Sequence, residues 1–143
     1  MQDFVHFFVE HWALALGFIV VMAVIIAQEY QSQNGGGTRL SPSEVVLKIN
    51  RESAKVLDLR SKEAFVRGHI VDALNVAAAD LDTNLNRLEK FKKQPLVLCC
   101  AAGTSVLPVS KKLQAAGFSD LYILAGGMDA WTRDSLPLVK GEK

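Results

Sequence analysis

The hydrophobic pattern divides the chain into an apolar N-terminal segment and a longer region of short alternating elements. From residue 12 to residue 27, 16 consecutive residues are uncharged and mostly apolar. Further along, short apolar runs bounded by turn-forming residues predict strands at 55–60, 73–76, 96–99 and 121–124. Amphipathic stretches predict helices at 42–50, 61–65, 80–91, 107–116 and 128–133. This alternation predicts an α/β domain whose mostly parallel sheet is covered by helices on both faces.

The N-terminal segment, residues 1–30, is long enough to be a single transmembrane helix if its first turn lies in the membrane interface. A helix needs about 20 residues to span the hydrocarbon core, and Trp12 and Tyr30 would lie near the two headgroup regions. A cleaved signal peptide normally begins with a basic region, and this segment has no lysine or arginine. A buried core helix is the other alternative, although the stretch 12–27 has no amphipathic pattern. We therefore predict an anchor in a lipid bilayer.

Charge and cysteine content limit the remaining classes of function. All 16 lysines and arginines lie at or after Arg39, so the positive-inside tendency places the N-terminus outside and the large domain in the cytoplasm. The formal net charge is +1 and the charges are interspersed, which excludes a nucleic-acid-binding surface. Two adjacent cysteines without a Cys-x-x-Cys or His/Cys cluster predict a reducing compartment, no metal site and no cofactor. The glycine-rich stretch 31–39 predicts a flexible tether between the anchor and a domain at 40–143.

The residue type best placed for chemistry is a cysteine, Cys100, at the carboxyl end of a predicted strand where the chain turns into a helix. Backbone N–H groups of such a turn stabilise negative charge, so a thiol there tends to ionise and becomes a nucleophile. Gly103 can adopt a positive φ, and the small Ala101 and Ala102 leave room for a substrate above the sulfur. We therefore expect an ionised Cys100 in a small pocket open to water. The alternative is that Cys100 is a small buried hydrophobe, as most free cysteines are.

Three further residues are defined by their positions on predicted strands. Cys99 precedes Cys100, and alternation along a strand predicts that its side chain points to the opposite side, into the core. A resolving role for Cys99 would require the end of the strand to reorganise. Asp58 and Arg60 end the first long strand, so they are expected at the same edge of the sheet as Cys100.

Three separated motifs carry a resemblance to a known family. They are DLRSKEAFVRGHIVDALNV at 58–76, CAAGTS at 100–105 and LYILAGGMDAW at 121–131. In this order and spacing they resemble the single-domain rhodanese-like sulfurtransferases over residues 40–137. The resemblance implies a rhodanese-like fold with a five-stranded sheet. The one-helix N-terminus resembles a membrane-anchored bacterial subgroup, which implies a single-pass protein of the inner (cytoplasmic) membrane.

The resemblance also implies a mechanism and the residues that serve it. Cys100 would take a sulfane sulfur from a donor and hold it as a persulfide until a thiol or protein acceptor removes it. The loop implied to hold the negative charge of the persulfide comprises Ala101, Ala102, Gly103, Thr104 and Ser105. Asp58 and Arg60 are implied to brace the loop and helix around Cys100. The plainer alternative is an exposed ion pair of little energetic consequence.

Other motif residues are expected to be structural. His69 resembles the structural histidine of the family's turn, and a catalytic role would require hydrogen-bond reach to the sulfur. Met128 and Trp131 are expected in the core. Many family members have arginine where Ser105 falls, and thiosulfate-using enzymes carry basic residues just after the cysteine. We therefore predict weak activity with thiosulfate.

Three functions remain open at this point. The first is a membrane-tethered sulfurtransferase or persulfide carrier, whose partners are a sulfane-sulfur donor and a thiol or protein acceptor. The second is a non-catalytic rhodanese-fold module, anchored to the bilayer, that binds other membrane proteins. It is motivated by the anchor, the tether and the uncharged loop. The third, phosphatase activity or arsenate reduction, is disfavoured because the six-residue loop has no arginine to hold an oxyanion.

Overall fold

The computed structural model describes residues 11–34, 36–103 and 106–142. Contacts within the chain divide it between Asn34 and Gly35 into two compact units. In chain order the elements are α1 (Trp12–Asn34), β1 (Thr38–Leu40), α2 (Pro42–Glu52), β2 (Lys55–Asp58), α3 (Lys62–Arg67), β3 (Leu74–Asn75), α4 (Leu81–Leu88), β4 (Leu96–Cys99), α5 (Val106–Ala115), β5 (Leu121–Leu124) and α6 (Gly127–Arg133). Two short 3-10 turns, Ala78–Asp80 and Glu89–Phe91, flank α4.

In the first unit, the described element is α1, whose apolar side chains are largely exposed. The exposed fraction of the large apolar side chains ranges from 41% for Met22 to 73% for Leu14. Within the described residues, the structure contains no helix that has both the length and the apolarity needed to cross a membrane. The predicted transmembrane helix is therefore not confirmed, and its part before His11 lies outside the described residues.

Of the residues predicted as a flexible tether, 31–39, those at both ends lie in regular elements. No glycine or proline lies at residues 31–34, and α1 continues to Asn34. After it, Thr38–Leu40 forms β1 and pairs in parallel with β5. Gly37 permits this pairing because its φ is +94° and because a Cβ there would lie 2.8 Å from the carbonyl oxygen of Leu121. The second unit accordingly begins at Gly35 and not at residue 40.

The second unit is built on a five-stranded parallel sheet with the strand order β1-β5-β4-β2-β3. This confirms the predicted α/β class and the number of strands. The central strand β4 is buried along its whole length, and its side chains alternate between two apolar clusters. Leu96 and Leu98 belong to one cluster, and Val97 and Cys99 belong to the other. Because all strands are parallel, their carboxyl ends meet at one edge of the sheet.

Local signals define how the chain enters this sheet. Ser41 caps α2, where its hydroxyl accepts from the N–H of Glu44 while the Glu44 carboxylate accepts from the N–H of Ser41. This reciprocal cap gives the helix a fixed start. The helix ends at Glu52, two residues later than predicted, because Ser53 adopts the left-handed conformation that closes a helix. The chain is thereby directed into β2.

Candidate active site

The sulfur of Cys100 lies at the end of β4, beneath a loop that turns back over it. The N–H of Gly103 donates to the Cys100 Sγ at a distance of 2.8 Å. Gly103 has a φ of +81°, which turns the chain toward the sulfur. One backbone N–H of the loop is therefore directed at the sulfur, as the sequence predicts. Thr104 and Ser105, the last two residues of the predicted loop, lie outside the described residues.

The expectation that Cys100 is open to water is wrong in this structure. Only 6% of the residue is exposed, and it belongs to an apolar cluster with the fully buried Val106. The reason is the path of the loop, since Gly103 folds inward and is itself buried. Ala101 and Ala102 are exposed and form the outer surface of the loop. The exposed side chains of the described part of the loop are therefore single methyl groups.

The first turn of α6 holds the cysteine loop from the other side. The N–H of Met128 donates to the Cys100 carbonyl at 2.8 Å, and that of Asp129 donates to the Ala101 carbonyl at 3.0 Å. Helices leave their first N–H groups without intrahelical partners, and here the loop carbonyls accept from two of them. These carbonyls are thus fixed to α6, while the N–H of Gly103 faces the sulfur.

Gly127 is a site residue that the sequence analysis missed. Its φ is +58°, and a Cβ at this position would collide with the Cys100 carbonyl oxygen and lie 2.8 Å from that of Ala101. From the sequence, the pair Gly126-Gly127 indicates only the end of a strand. The signal was its position in the third motif, directly before a short helix. The prediction that Met128 and Trp131 are core residues is confirmed, since both are buried.

The two neighbouring cysteines face opposite sides of the sheet, as predicted. Cys99 is fully buried in the cluster that contains Phe65 and Trp131, whereas Cys100 belongs to the other cluster. Burial, and to a lesser extent the nearby Asp58 carboxylate, raises the pKa of the Cys99 thiol well above its ordinary value. Cys99 is therefore protonated and inert at neutral pH, which gives no support to a resolving role.

Asp58 and Arg60 form a buried ion pair at the end of β2. The Asp58 carboxylate is fully buried and accepts from Arg60 Nη2 at 2.6 Å and from Arg60 Nε at 2.9 Å. Burial lowers the pKa of Arg60, but the hydrogen bonds and charge of Asp58 outweigh this effect and raise the pKa above its ordinary value. The alternative of an exposed ion pair is therefore wrong.

This ion pair connects β2 to the turn after α3. Arg60 Nη2 also donates to the Gly68 carbonyl at 2.7 Å. The register of β2 and β4 places Asp58 beside Cys99, and the N–H of Leu59 donates to the Cys99 carbonyl at 2.8 Å. Among the described residues, the hydrogen bonds of the Asp58 and Arg60 side chains go to each other and to the turn, not to the cysteine loop. The pair thus fixes the strand end and the turn, and its role in bracing the loop around Cys100 stays a prediction.

Asn75 is a second residue that the sequence analysis missed. Its side-chain amide donates to the carbonyl of Asp58 at 3.2 Å and to that of Arg60 at 2.9 Å. Asn75 therefore joins β3 to the backbone on both sides of the ion pair. The only signal was its place near the end of the first motif.

His69 has the structural position that the resemblance implies. Its ring is fully buried and stacked on Phe65 at a centroid distance of 3.7 Å. Its Nδ1–H donates to the Phe65 carbonyl at 2.9 Å, and its backbone pairs with that of Val139. Among the described residues there is no group of three or more His, Cys, Asp or Glu side chains that could hold a metal ion.

The chain is similar to known proteins over nearly its whole length. The family model described as "Rhodanese-like domain" matches residues 41–134. The uncharacterized protein YibN of Escherichia coli (strain K12) is 28% identical over 143 residues, which cover 99% of this chain and 100% of YibN. The thiosulfate sulfurtransferase GlpE of Pseudomonas fluorescens (strain SBW25) is 32% identical over 99 residues, which cover 63% of this chain and 81% of GlpE. The crystal structure of a rhodanese-related protein from Thermoplasma volcanium is similar in fold, with a TM-score of 0.64 at 20% identity, over 71% of this chain and 97% of that one.

Proposed function

We propose that this chain, which belongs to the rhodanese-like domain family, transfers sulfur through a persulfide formed on Cys100. Family membership and the similarity to GlpE support a sulfurtransferase-type function. The observation that carries the finer proposal is the Gly103 N–H, which is directed at the Cys100 sulfur from a distance of 2.8 Å. The sulfur lies at the carboxyl end of a parallel sheet, where α/β proteins place their reactive groups.

The proposed reaction has two displacement steps and no net oxidation. The Cys100 thiolate attacks the sulfane sulfur of the donor, and the donor's sulfur–sulfur bond breaks as its remainder leaves with the electron pair. A persulfide anion then remains on Cys100, where the Gly103 N–H stabilises its negative charge. In the second step an acceptor thiolate attacks the outer sulfur and releases the Cys100 thiolate.

The test is the mass of the protein after incubation with a sulfane-sulfur donor. Inorganic polysulfide is expected to add one sulfur, about 32 Da, as a persulfide that a reducing thiol removes. Cys100→Ser is expected to abolish this adduct. Cys99→Ala is the matched control and should retain it, because Cys99 faces the other side of the sheet. An adduct on Cys99, or none on either cysteine of the folded protein, would contradict the proposal.

A non-catalytic binding module is the second candidate, and the burial of Cys100 favours it. With 6% of the residue exposed, the sulfur can be read as part of the core. In that case no sulfur adduct forms, and pull-down of membrane proteins with the full chain is unchanged by Cys100→Ser. Formation of the adduct at a rate that depends on donor concentration would decide for the catalytic function.

We expect weak activity with thiosulfate, because Ala101 and Ala102 offer no charge to a doubly charged donor. One charge-assisted hydrogen bond contributes about 1.5–3 kcal/mol, or roughly ten- to a hundredfold in affinity. Ala102 is exposed, so Ala102→Arg can add a cation without burying it. This variant is expected to raise kcat/KM for thiosulfate by about tenfold or more. The rate with a neutral organic persulfide should change little, and an equal increase for both donors would contradict the charge argument.

We further propose that α1 holds the protein at the inner (cytoplasmic) membrane of a bacterium, with the rhodanese-like domain in the cytoplasm and the N-terminus outside. The exposed apolar surface of α1 supports this proposal, since such a surface is unfavourable in water. A complete crossing needs about 20 predominantly apolar residues, and the uncharged stretch 12–27 has 16, so a crossing would also involve residues before His11. Other membrane proteins are then accessible partners.

Flotation with phospholipid vesicles tests the membrane proposal. The full chain is expected to float with the vesicles, and the triple variant Phe18→Asp, Val21→Asp, Ile25→Asp is expected to remain in the dense fraction. Each aspartate at the centre of a membrane helix costs about 2.5–3.5 kcal/mol on insertion scales. The control places aspartates on the domain at the exposed Arg51, Lys93 and Lys111. Equal flotation of the wild-type chain and the triple variant would exclude α1 as the anchor.

A further inference from the structure

A groove of about 660 Å³ follows the open edge of the sheet, between α3 and the end of α4. Its lining includes Leu74 and Asn75 of the edge strand β3, Phe65 of α3, and Phe91 of the turn after α4. Cys100 is not among the residues that line this groove. The sulfur itself therefore does not face this groove, and the inference below does not rest on the proposed sulfur transfer.

Strand β3 offers unused main-chain groups to this groove. It is the last strand in the sheet and pairs only with β2. The N–H of Val76 donates to the Asp58 carbonyl of β2 at 3.0 Å. Main-chain groups alternate in direction along a strand, so the N–H and C=O of Asn75 point away from β2, toward the open edge. An extended peptide is the ligand that such an edge binds.

The rim of the groove is basic. Three exposed cations line it, Lys62, Arg87 and Lys90, and the one carboxylate among the lining residues is that of Glu142. Glu142 already lies on this rim, with its Oε1 3.1 Å from Lys62 Nζ. Arg87 lies at the end of α4, and Lys90 lies in the turn that follows. The local charge thus complements an acidic ligand.

We infer that this groove binds an extended acidic segment of a partner protein, with alternating acidic and apolar side chains. Its main chain would pair with Asn75, its apolar side chains would enter the groove against Phe91 and Leu74, and its carboxylates would meet the rim cations. A second copy of this chain is a poorer occupant, because edge-to-edge pairing would bring two basic rims together.

The inference can be tested with the full chain in a non-ionic detergent and a fluorescently labelled hexapeptide of sequence DVDVDV. The peptide is expected to raise the fluorescence anisotropy in a saturable manner, and KVKVKV is expected not to bind. The double variant Arg87→Glu, Lys90→Glu should weaken binding by about tenfold or more. The matched control, Arg51→Glu with Lys111→Glu, changes the net charge equally at exposed sites outside the groove, and it should retain most of the affinity.

Hydrogen exchange distinguishes strand pairing from general attraction of charges. Exchange of the Asn75 amide is expected to slow when DVDVDV binds, and Cys100→Ser should bind the peptide as tightly as the wild-type chain. Equal loss of affinity in the two double variants would overturn the inference in favour of non-specific attraction. Binding without protection of Asn75 would overturn it too. The inference would also be overturned if sedimentation without peptide showed a dimer of the wild-type chain and a monomer of the Arg87→Glu, Lys90→Glu variant.

Discussion

Asp58→Ala is expected to lower the free energy of unfolding by about 3–5 kcal/mol, the cost of leaving one member of a buried ion pair without its partner. The Asp58 carboxylate accepts from the Arg60 backbone and from its guanidinium, and only 14% of the Arg60 side chain is exposed. Without Asp58, this guanidinium keeps the Gly68 carbonyl as its partner but has no opposing charge. Chemical denaturation followed by circular dichroism measures the change.

Two control variants separate burial of the charge from other effects. Glu142→Ala removes the partner of Lys62 in an ion pair whose side chains are 70% and 72% exposed. It should change the stability little, because exposed pairs contribute little. Asp58→Leu combined with Arg60→Met should recover much of the loss, since an apolar pair carries no charge into the interior. If Asp58→Ala is as stable as Glu142→Ala, the ion pair does not hold the end of β2.

Gly127→Ala is expected to reduce persulfide formation at Cys100 by tenfold or more and to lower the melting temperature. The added Cβ would collide with the Cys100 carbonyl oxygen and approach that of Ala101 to 2.8 Å. Overpacking of this kind costs about 1–3 kcal/mol. The first turn of α6 must then move, and the N–H groups of Met128 and Asp129 lose their acceptors in the loop. The rate of sulfur addition by mass spectrometry is the measurement.

Gly141→Ala is the control for backbone strain. Gly141 also has a positive φ, +109°, but a Cβ there would meet nothing within 4 Å. Both substitutions therefore place alanine in an unfavourable conformation, and only Gly127→Ala adds a collision with the loop. Sulfur addition by Gly141→Ala should match the wild-type rate. A similar loss in both variants would mean that strain at a glycine, and not the contact with the cysteine loop, limits the reaction.

The parts of the fold that the sequence predicts are those determined by residues close together in the chain. Alternation over the strand before Cys100 predicts that Cys99 and Cys100 face opposite sides, and the structure places them in separate clusters. The motif around Ser41 predicts the start of α2, because its two partners lie three residues apart. By contrast, β1 is three residues long and has no apolar periodicity, so only its pairing with β5 reveals it.

The parts of the site that the sequence does not predict depend on contacts between distant segments. Gly127 is separated from Cys100 by a helix and a strand, and its role follows from the close approach of α6 to the cysteine loop. The Asn75 side chain donates hydrogen bonds to two carbonyl groups that lie 15 and 17 residues earlier in the chain. The burial of Cys100 depends on the path of the chain at Gly103, which residue types alone do not determine.

The opposite orientation of the two cysteines has a consequence for oxidative damage. A sulfenic acid on Cys100 is normally rescued when a neighbouring thiol condenses with it. Cys99 is the only other cysteine in the chain, and it faces the far side of the sheet as a protonated, buried thiol. A disulfide between adjacent residues would in addition be strained. Repair of oxidised Cys100 must therefore come from a thiol of another molecule.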